Sequence, residues 1–232
     1  DGVDGWGNTN WYDKVYGTGT RTHHNISATG GSDRVRFFAS IGYLNEDGNI
    51  DNYGYNRLNL RSNIDAKLTK SLTFTLGVSG RIEKRDSPRY SADPNAWHNV
   101  PQQIIRALPY VPDTYEYEGK TYNVSTPTAS SPVAPVASIN ESGYSKSNYS
   151  YIQSNFSLKY DAPWLKGLSF KFQGAYDLTY NFSKILSNPY EVMIMNLPTI
   201  ESTSLTYYKG TDASGNSISL SESASRGYTF TT

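Results

Sequence analysis

Apolar and polar residues alternate strictly along most of this chain, over stretches longer than ordinary globular strands. Val35, Phe37, Ala39, Ile41 and Tyr43 fall on one side of the first such stretch, with Arg34, Arg36, Ser40 and Gly42 opposite and Phe38 breaking the pattern. Next, Leu58, Leu60, Ile64, Ala66 and Leu68 oppose Arg57, Asn59, Arg61, Asn63, Asp65 and Lys67. Leu72, Phe74, Leu76, Val78 and Ile82 then oppose Thr73, Thr75, Ser79, Arg81 and Glu83. Two more stretches follow: Ile152, Phe156, Leu158 and Tyr160 against Gln153, Asn155 and Lys159, then Leu168, Phe170, Phe172, Tyr176, Leu178, Tyr180 and Phe182 against Ser169, Lys171, Gln173, Asp177, Thr179 and Asn181. A shorter strand around His24, Ile26 and Ala28 precedes them all. A period of two is that of an extended strand and not of a helix. The strands predicted in this way run about 11 to 16 residues, where globular strands average about 5 to 6 and a tilted membrane-crossing strand needs about 9 to 11.

Connections between the strands alternate in length. Gly30 to Asp33 is tight, Asn45 to Gly54 longer, Thr69 to Ser71 tight, Asp86 to Ser147 very long and Asp161 to Gly167 short, and a second long stretch begins near Lys184. Short turns on one side and long loops on the other is the layout of an outer-membrane barrel. Tyr160 and Trp164 flank one short turn, where they suit either an interfacial aromatic belt or local packing. Inside the longest connection, Ile104, Ile105 and Leu108 predict a short helix after Pro101, folded over the barrel mouth, and Ser125 to Pro135 reads as extended or irregular.

Composition strengthens the all-β reading. Tyr occurs 20 times, Gly 19 times, and aromatics make 14% of the chain, a profile against a helical bundle. Lys+Arg and Asp+Glu balance at 21 each, so the electrostatic footprint of a nucleic-acid binder is lacking. No apolar run approaches the roughly 18 to 20 residues of a membrane helix. The polar average does not argue against a membrane barrel, whose strands carry polar residues at every second position. Cysteine is absent, which removes disulfides and thiolate chemistry. Asp1 to Asn10 lack the charged and apolar regions of a secretion signal, so the start reads as internal.

Candidate chemistry is sparse. His23 and His24 point to opposite faces of a strand, and His98 stands alone in a loop, so no metal site is expected. No Gly-x-Ser-x-Gly elbow accompanies the many serines, and the chain reads as a non-enzyme without cofactor. Asn45-Glu-Asp-Gly-Asn-Ile-Asp-Asn offers oxygen ligands without the full spacing of a calcium loop and reads as a surface hairpin. Gly17-Thr-Gly-Thr lacks the third glycine of a phosphate-cradling fingerprint, and the Asn-x-Ser sequons at Asn25, Asn155 and Asn181 sit within strands. Two sets of residues carry the functional expectation. Arg57, Arg61, Asp65, Arg81, Glu83, Lys171 and Asp177, with Lys67 and Lys159, fall on the polar face, which would line a lumen or meet a plug. Tyr90, Trp97, Tyr110, Tyr115, Tyr117 and Tyr122 lie in the longest loop, where their flat faces could stack on a ligand, pack a loop core or contact a lid protein.

Several strings in succession carry a resemblance. Asn8-Thr-Asn-Trp-Tyr-Asp, His24-Asn-Ile-Ser-Ala-Thr-Gly-Gly and Phe37-Phe-Ala-Ser-Ile-Gly-Tyr-Leu-Asn-Glu-Asp-Gly are followed by Tyr55-Asn-Arg-Leu-Asn-Leu-Arg-Ser-Asn-Ile-Asp. Ser131-Pro-Val-Ala, Asn140-Glu-Ser-Gly-Tyr and Leu165-Lys-Gly-Leu-Ser-Phe-Lys come later. Together, over residues 8 to 183, they resemble SusC-like (SusC/RagA) TonB-dependent outer-membrane transporters. The resemblance implies a barrel of about 22 strands around a plug. It also implies a SusD-like surface lipoprotein as lid, energy from the TonB complex, and import of an oligomeric glycan or peptide across the bacterial outer membrane. No plug, TonB-contact segment or closing strand is recognisable, so the chain is expected to be an internal fragment. The expected fold is all-β: a partial antiparallel transmembrane barrel of about six to eight long strands with long extracellular loops. Residues 1–22 would form an extracellular junction and residues 23–232 the partial barrel, with its long loop at about 86–147. Two other readings stay open: a soluble carbohydrate-binding β-sandwich, and a passive porin or adhesin barrel. They differ over whether Phe170, Phe172, Tyr176, Leu178 and Phe182 are packed against a second sheet or face lipid.

Overall fold

A computed structural model describes residues 6–89, 100–125, 133–188, 190–196, 206–209 and 228–231. In chain order come helix α1 (Trp11–Val15) and the strands β1 (Arg21–Gly31), β2 (Val35–Asp47), β3 (Gly54–Lys67) and β4 (Leu72–Pro88). Helix α2 (Val100–Arg106), β5 (Thr114–Tyr117), β6 (Lys120–Ser125) and helix α3 (Pro135–Asn140) follow. Then come the two longest strands, β7 (Gly143–Asp161) and β8 (Ser169–Ser187), and the short β9 (Val192–Asn196), β10 (Thr206–Lys209) and β11 (Tyr228–Thr231).

The long strands form one antiparallel sheet of order β1-β2-β3-β4-β7-β8-β11. Its register is continuous, so residues of one parity line up in rows across the strands. Ile26, Ile41, Leu60, Gly80, Ile152 and Leu178 make one such row; Ala28, Ala39, Ser62, Val78, Ser154 and Tyr176 make the next. One row further, Phe37 and Phe156 lay their rings over Gly30 and Gly174, so an aromatic covers backbone that glycine leaves bare. On β4 the apolar positions run from Leu72 to Ile82. Ten residue steps of about 3.3 Å, tilted by about 40°, give an apolar band about 25 Å tall, the height of a barrel's hydrocarbon-facing belt. Beyond that band the same parity turns polar at Asn45, Asn56, Lys84 and Asn148, while β4, β7 and β8 continue. The strands therefore reach past the belt, and the longest connection spans 89–142.

Nothing covers the apolar face among the described residues. Phe172 is 65% exposed and Tyr176 64%, and Phe170, Leu178, Ile26 and Ile152 are exposed with them, while Phe182, beyond the belt, is half-buried. The β-sandwich reading is thereby overturned, because a sandwich buries that face against a second sheet. A contiguous apolar surface of this extent on a soluble protein would promote association, whereas in lipid it is solvated.

The buried core lies elsewhere, in a lobe at the long-loop end of the sheet. Trp11, Ala107, Val111, Val124, Val133, Met193 and Met195 form its main cluster. Val15, Ile50, Val100 and Ile139 form a second, and Ala134, Ala137, Tyr190 and Val192 a third. A four-stranded sheet of order β10-β9-β6-β5 carries this lobe, with β6 and β9 running parallel. Its hairpin β5–β6 turns on Glu118 and Gly119, both at positive φ, the geometry of a two-residue hairpin turn. The sequence predicts a short helix after Pro101, and α2 is there with that proline in its first turn. The hairpin, the β9–β10 pair and α3 are absent from the sequence-based expectation, because strands of four to six residues carry too few alternations to register.

Helix α1 anchors the start of the described chain to the lobe. The Asn10 side chain accepts from the amides of Tyr12 and Asp13 at 3.2 and 3.4 Å, and the Trp11 indole donates to the Leu108 carbonyl at 2.9 Å. Asn10→Ala should cost about 1 kcal/mol of local stability. Hydrogen exchange should then accelerate in α1 and leave the strands unchanged; equal acceleration in the sheet would show that the cap does more than hold one helix.

Candidate functional site

Strand parity collects the charged residues on the face opposite the apolar band. Arg57, Arg61, Asp65, Arg81, Glu83, Lys171 and Asp177 all share it, as do Lys67 and Lys159. Asp65 sits at the short-turn end, where it accepts from the Thr75 hydroxyl at 2.8 Å. Lys171 lies at that end too, across from Lys159. Arg61 and Asp177 share one row, separated by Ser79 and Gln153.

Three rows toward the long-loop end form a denser group. Glu83 is the buried centre, its side chain only 5% exposed, and its carboxylate takes Arg81 Nε and Arg85 Nη2, each at 3.0 Å. All three lie on β4 two residues apart, so the strand repeat itself sets the spacing. The Arg81 guanidinium lies 4.5 Å from the centre of the Tyr151 ring, and that of Arg85 lies 5.2 Å from Tyr149 and 5.6 Å from Tyr55. Cation–π contact and ion pairing thus hold both guanidinium groups in place. Arg57 is directly opposite Glu83 on β3, yet its Nε is buried without a hydrogen-bond partner. Asn181, in the same row on β8, has its Oδ1 in the same condition. The sequence pattern marks Arg57, Arg81 and Glu83 but leaves out Arg85, Tyr55, Tyr149 and Tyr151. Arg85 could have been found by extending the β4 alternation by one more step.

The loop aromatics have a different setting. Tyr110, Tyr115 and Tyr122 are half-buried against the main lobe cluster, Tyr110 meeting Trp6 edge-on at 5.6 Å. Tyr117 is exposed near the hairpin turn, and Tyr90 and Trp97 lie outside the described residues. On the same lobe, burial raises the Glu141 carboxyl above its ordinary value, opposed by a hydrogen bond from Asn123 and by the Lys120 charge. Of the two settings open to Tyr160 and Trp164, local packing is seen: their rings meet at 5.8 Å, with Trp164 largely exposed at the short-turn end.

No family model matches the chain. Among curated proteins it is similar to TonB-dependent receptor P3 of Formosa agariphila, with 33% identity over 84 residues, 36% of this chain and 8% of the relative. TonB-dependent receptor P39 of the same organism is 30% identical over 74 residues, 32% of this chain and 7% of the relative. The chain thus matches less than a tenth of the length of these relatives. Its fold is similar to that of solved structures of the RagAB peptide importer in its closed-closed and open-open states. Both superpose with a TM-score of 0.57 at 21% identity, over 78% of this chain and 20% of theirs. The relatives are receptors and importers rather than enzymes. In its apolar belt, its strand layout and these likenesses, the chain is similar to a stretch of the outer-membrane β-barrel of TonB-dependent receptors.

Proposed function

We propose that this chain supplies wall and surface lobe to an importer that takes an oligomeric nutrient, glycan or peptide, across the outer membrane. The supporting observation is the two-faced sheet: an apolar band about 25 Å tall on one side, and on the other a charged face whose densest group lies at the lobe end. In this reading Arg57, Arg61, Asp65, Arg81, Glu83, Lys171 and Asp177 line the lumen or meet the plug. Tyr117, exposed near the hairpin turn, belongs to the surface that faces ligand or lid, and half-buried Tyr110, Tyr115 and Tyr122 pack behind it. Strand β1 has a free outer edge among the described residues, and bare strand edges are costly in lipid, so further strands of the same receptor would close the barrel. A SusD-like lipoprotein would cap the lobe end, and the TonB complex would act through the plug. The likeness to TonB-dependent receptors and to the RagAB peptide importer supports import over passive diffusion.

The test is uptake of labelled oligomers by cells carrying the full-length receptor, with and without TonB and with the membrane potential collapsed. Uptake should vanish in both cases, and a SusD-like lipoprotein should co-purify with the receptor. Uptake that persists without TonB would favour a passive porin instead.

A further inference from the structure

We infer that the group around Glu83 is a subsite for an acidic oligosaccharide, with Arg57 taking a carboxylate of the ligand and Asn181 one of its hydroxyls. The inference rests on the import reading and narrows its substrate class. Three arginines and one glutamate leave a surplus of two positive charges at Arg57, Arg81, Glu83 and Arg85. Nearby, Arg21 and Glu46 pair with each other at 2.8 Å and offset nothing. Glu83 is already shared between Arg81 and Arg85 and engages one nitrogen of each. Arg57 has no ion pair among the described residues, and its buried Nε has no acceptor. Buried donors and acceptors in proteins are paired with few exceptions, and each exception calls for a missing partner. A guanidinium donor calls for an oxyanion; an amide oxygen calls for a hydroxyl or amide proton.

The geometry favours a sugar oligomer over a peptide. Arg57 on β3 and Asn181 on β8 are three strand spacings apart, about 14 Å between backbones, a separation that an oligomer can bridge. Between them stand Glu83 and Tyr149, flanked by Arg81, Tyr151, Ser147 and Thr179. Among the described residues that surface is rich in hydroxyls, which suit the hydroxyls of a sugar. The tyrosine rings next to Arg81 and Arg85 already carry guanidinium groups, so their task is to orient charge.

Titration calorimetry on the detergent-solubilised full-length receptor tests this, with galacturonate and mannuronate hexamers, the methyl ester of the former, and an acidic glutamate hexapeptide as probes. At least one uronate hexamer should bind, about tenfold or more weaker with Arg57→Gln, since a hydrogen bond to a charged group is being removed. The methyl ester should bind more weakly than its parent acid and be indifferent to Arg57→Gln. Glu83→Gln removes the competing carboxylate and should tighten uronate binding. Folding of each variant is checked by its heat-modifiable migration. If Arg57→Gln fails to fold, Arg57→Lys, which keeps the charge without the Nε donor, should still weaken uronate binding. Equal affinity for acid and ester, unchanged binding in the folded Arg57 variant, or binding of the peptide alone would overturn the inference. TonB-independent uptake together with Arg57-dependent uronate binding would instead overturn only the import reading.

Discussion

Val78→Arg should lower the stability of the full-length receptor in a bilayer by about 2 to 4 kcal/mol, and Gln153→Arg by close to nothing. The two positions lie at nearly the same depth: Val78 is opposite Ser154, and Gln153 is the next residue along β7. They differ only in face. Val78 belongs to the middle rows of the apolar band, where a guanidinium has neither water nor counter-charge within reach. Gln153 shares the face of Arg61 and Asp177, where another charge remains hydrated. Urea unfolding in lipid vesicles gives the free energies, and the heat-modifiable fraction in outer membranes gives the cellular outcome. Equal losses at both positions would mean that the band does not face lipid.

Gly143→Val should be the most damaging single change at the seam between lobe and sheet, at about 3 to 5 kcal/mol. Gly143 opens β7 at φ +100, a conformation that side chains with a Cβ resist. A Cβ there would also run into the Leu186 carbonyl, with the Asn188 amide 3.2 Å away. Both neighbours are backbone of the adjacent strand end, where Asn188 donates to the Ser142 carbonyl at 2.9 Å. No rotamer change relieves such a clash. Gly119→Ala is the control: its φ is +74, but a Cβ there meets nothing, so only the conformational strain of about 1 kcal/mol remains. Limited proteolysis of the folded receptor should open the lobe in the Gly143 variant and not in the Gly119 variant. Matching digestion patterns would refute the steric account.

The barrel wall was legible because lipid on one side and water on the other force strict alternation. A strand such as β8, with Phe170, Phe172, Tyr176 and Leu178 on one parity and Lys171, Gln173, Asp177 and Thr179 on the other, has no competing interpretation as a helix. The lobe was not legible, because its core is assembled from distant pieces. Trp11, Val111, Val124 and Met193 meet in one cluster, and no local pattern announces a contact between residues so far apart in sequence. The site was half legible. Parity alone places Arg57, Arg81 and Glu83 on one face, but whether a given arginine is paired depends on which neighbour Glu83 selects. That choice is made by side-chain reach along β4, with tyrosines from β3 and β7 steering the guanidinium groups.

The parallel contact of β6 with β9 has a consequence for how the protein comes into being. Val124 lies beside Met193, and the whole β7–β8 hairpin is threaded between them. Emerging β5 and β6 can pair at once, but their sheet cannot finish until that hairpin has gone out and back and delivered β9. The lobe is then a clasp that snaps shut only on a correctly inserted hairpin. A receptor stalled during insertion should display an open, protease-sensitive lobe at the cell surface, a visible mark of incomplete assembly.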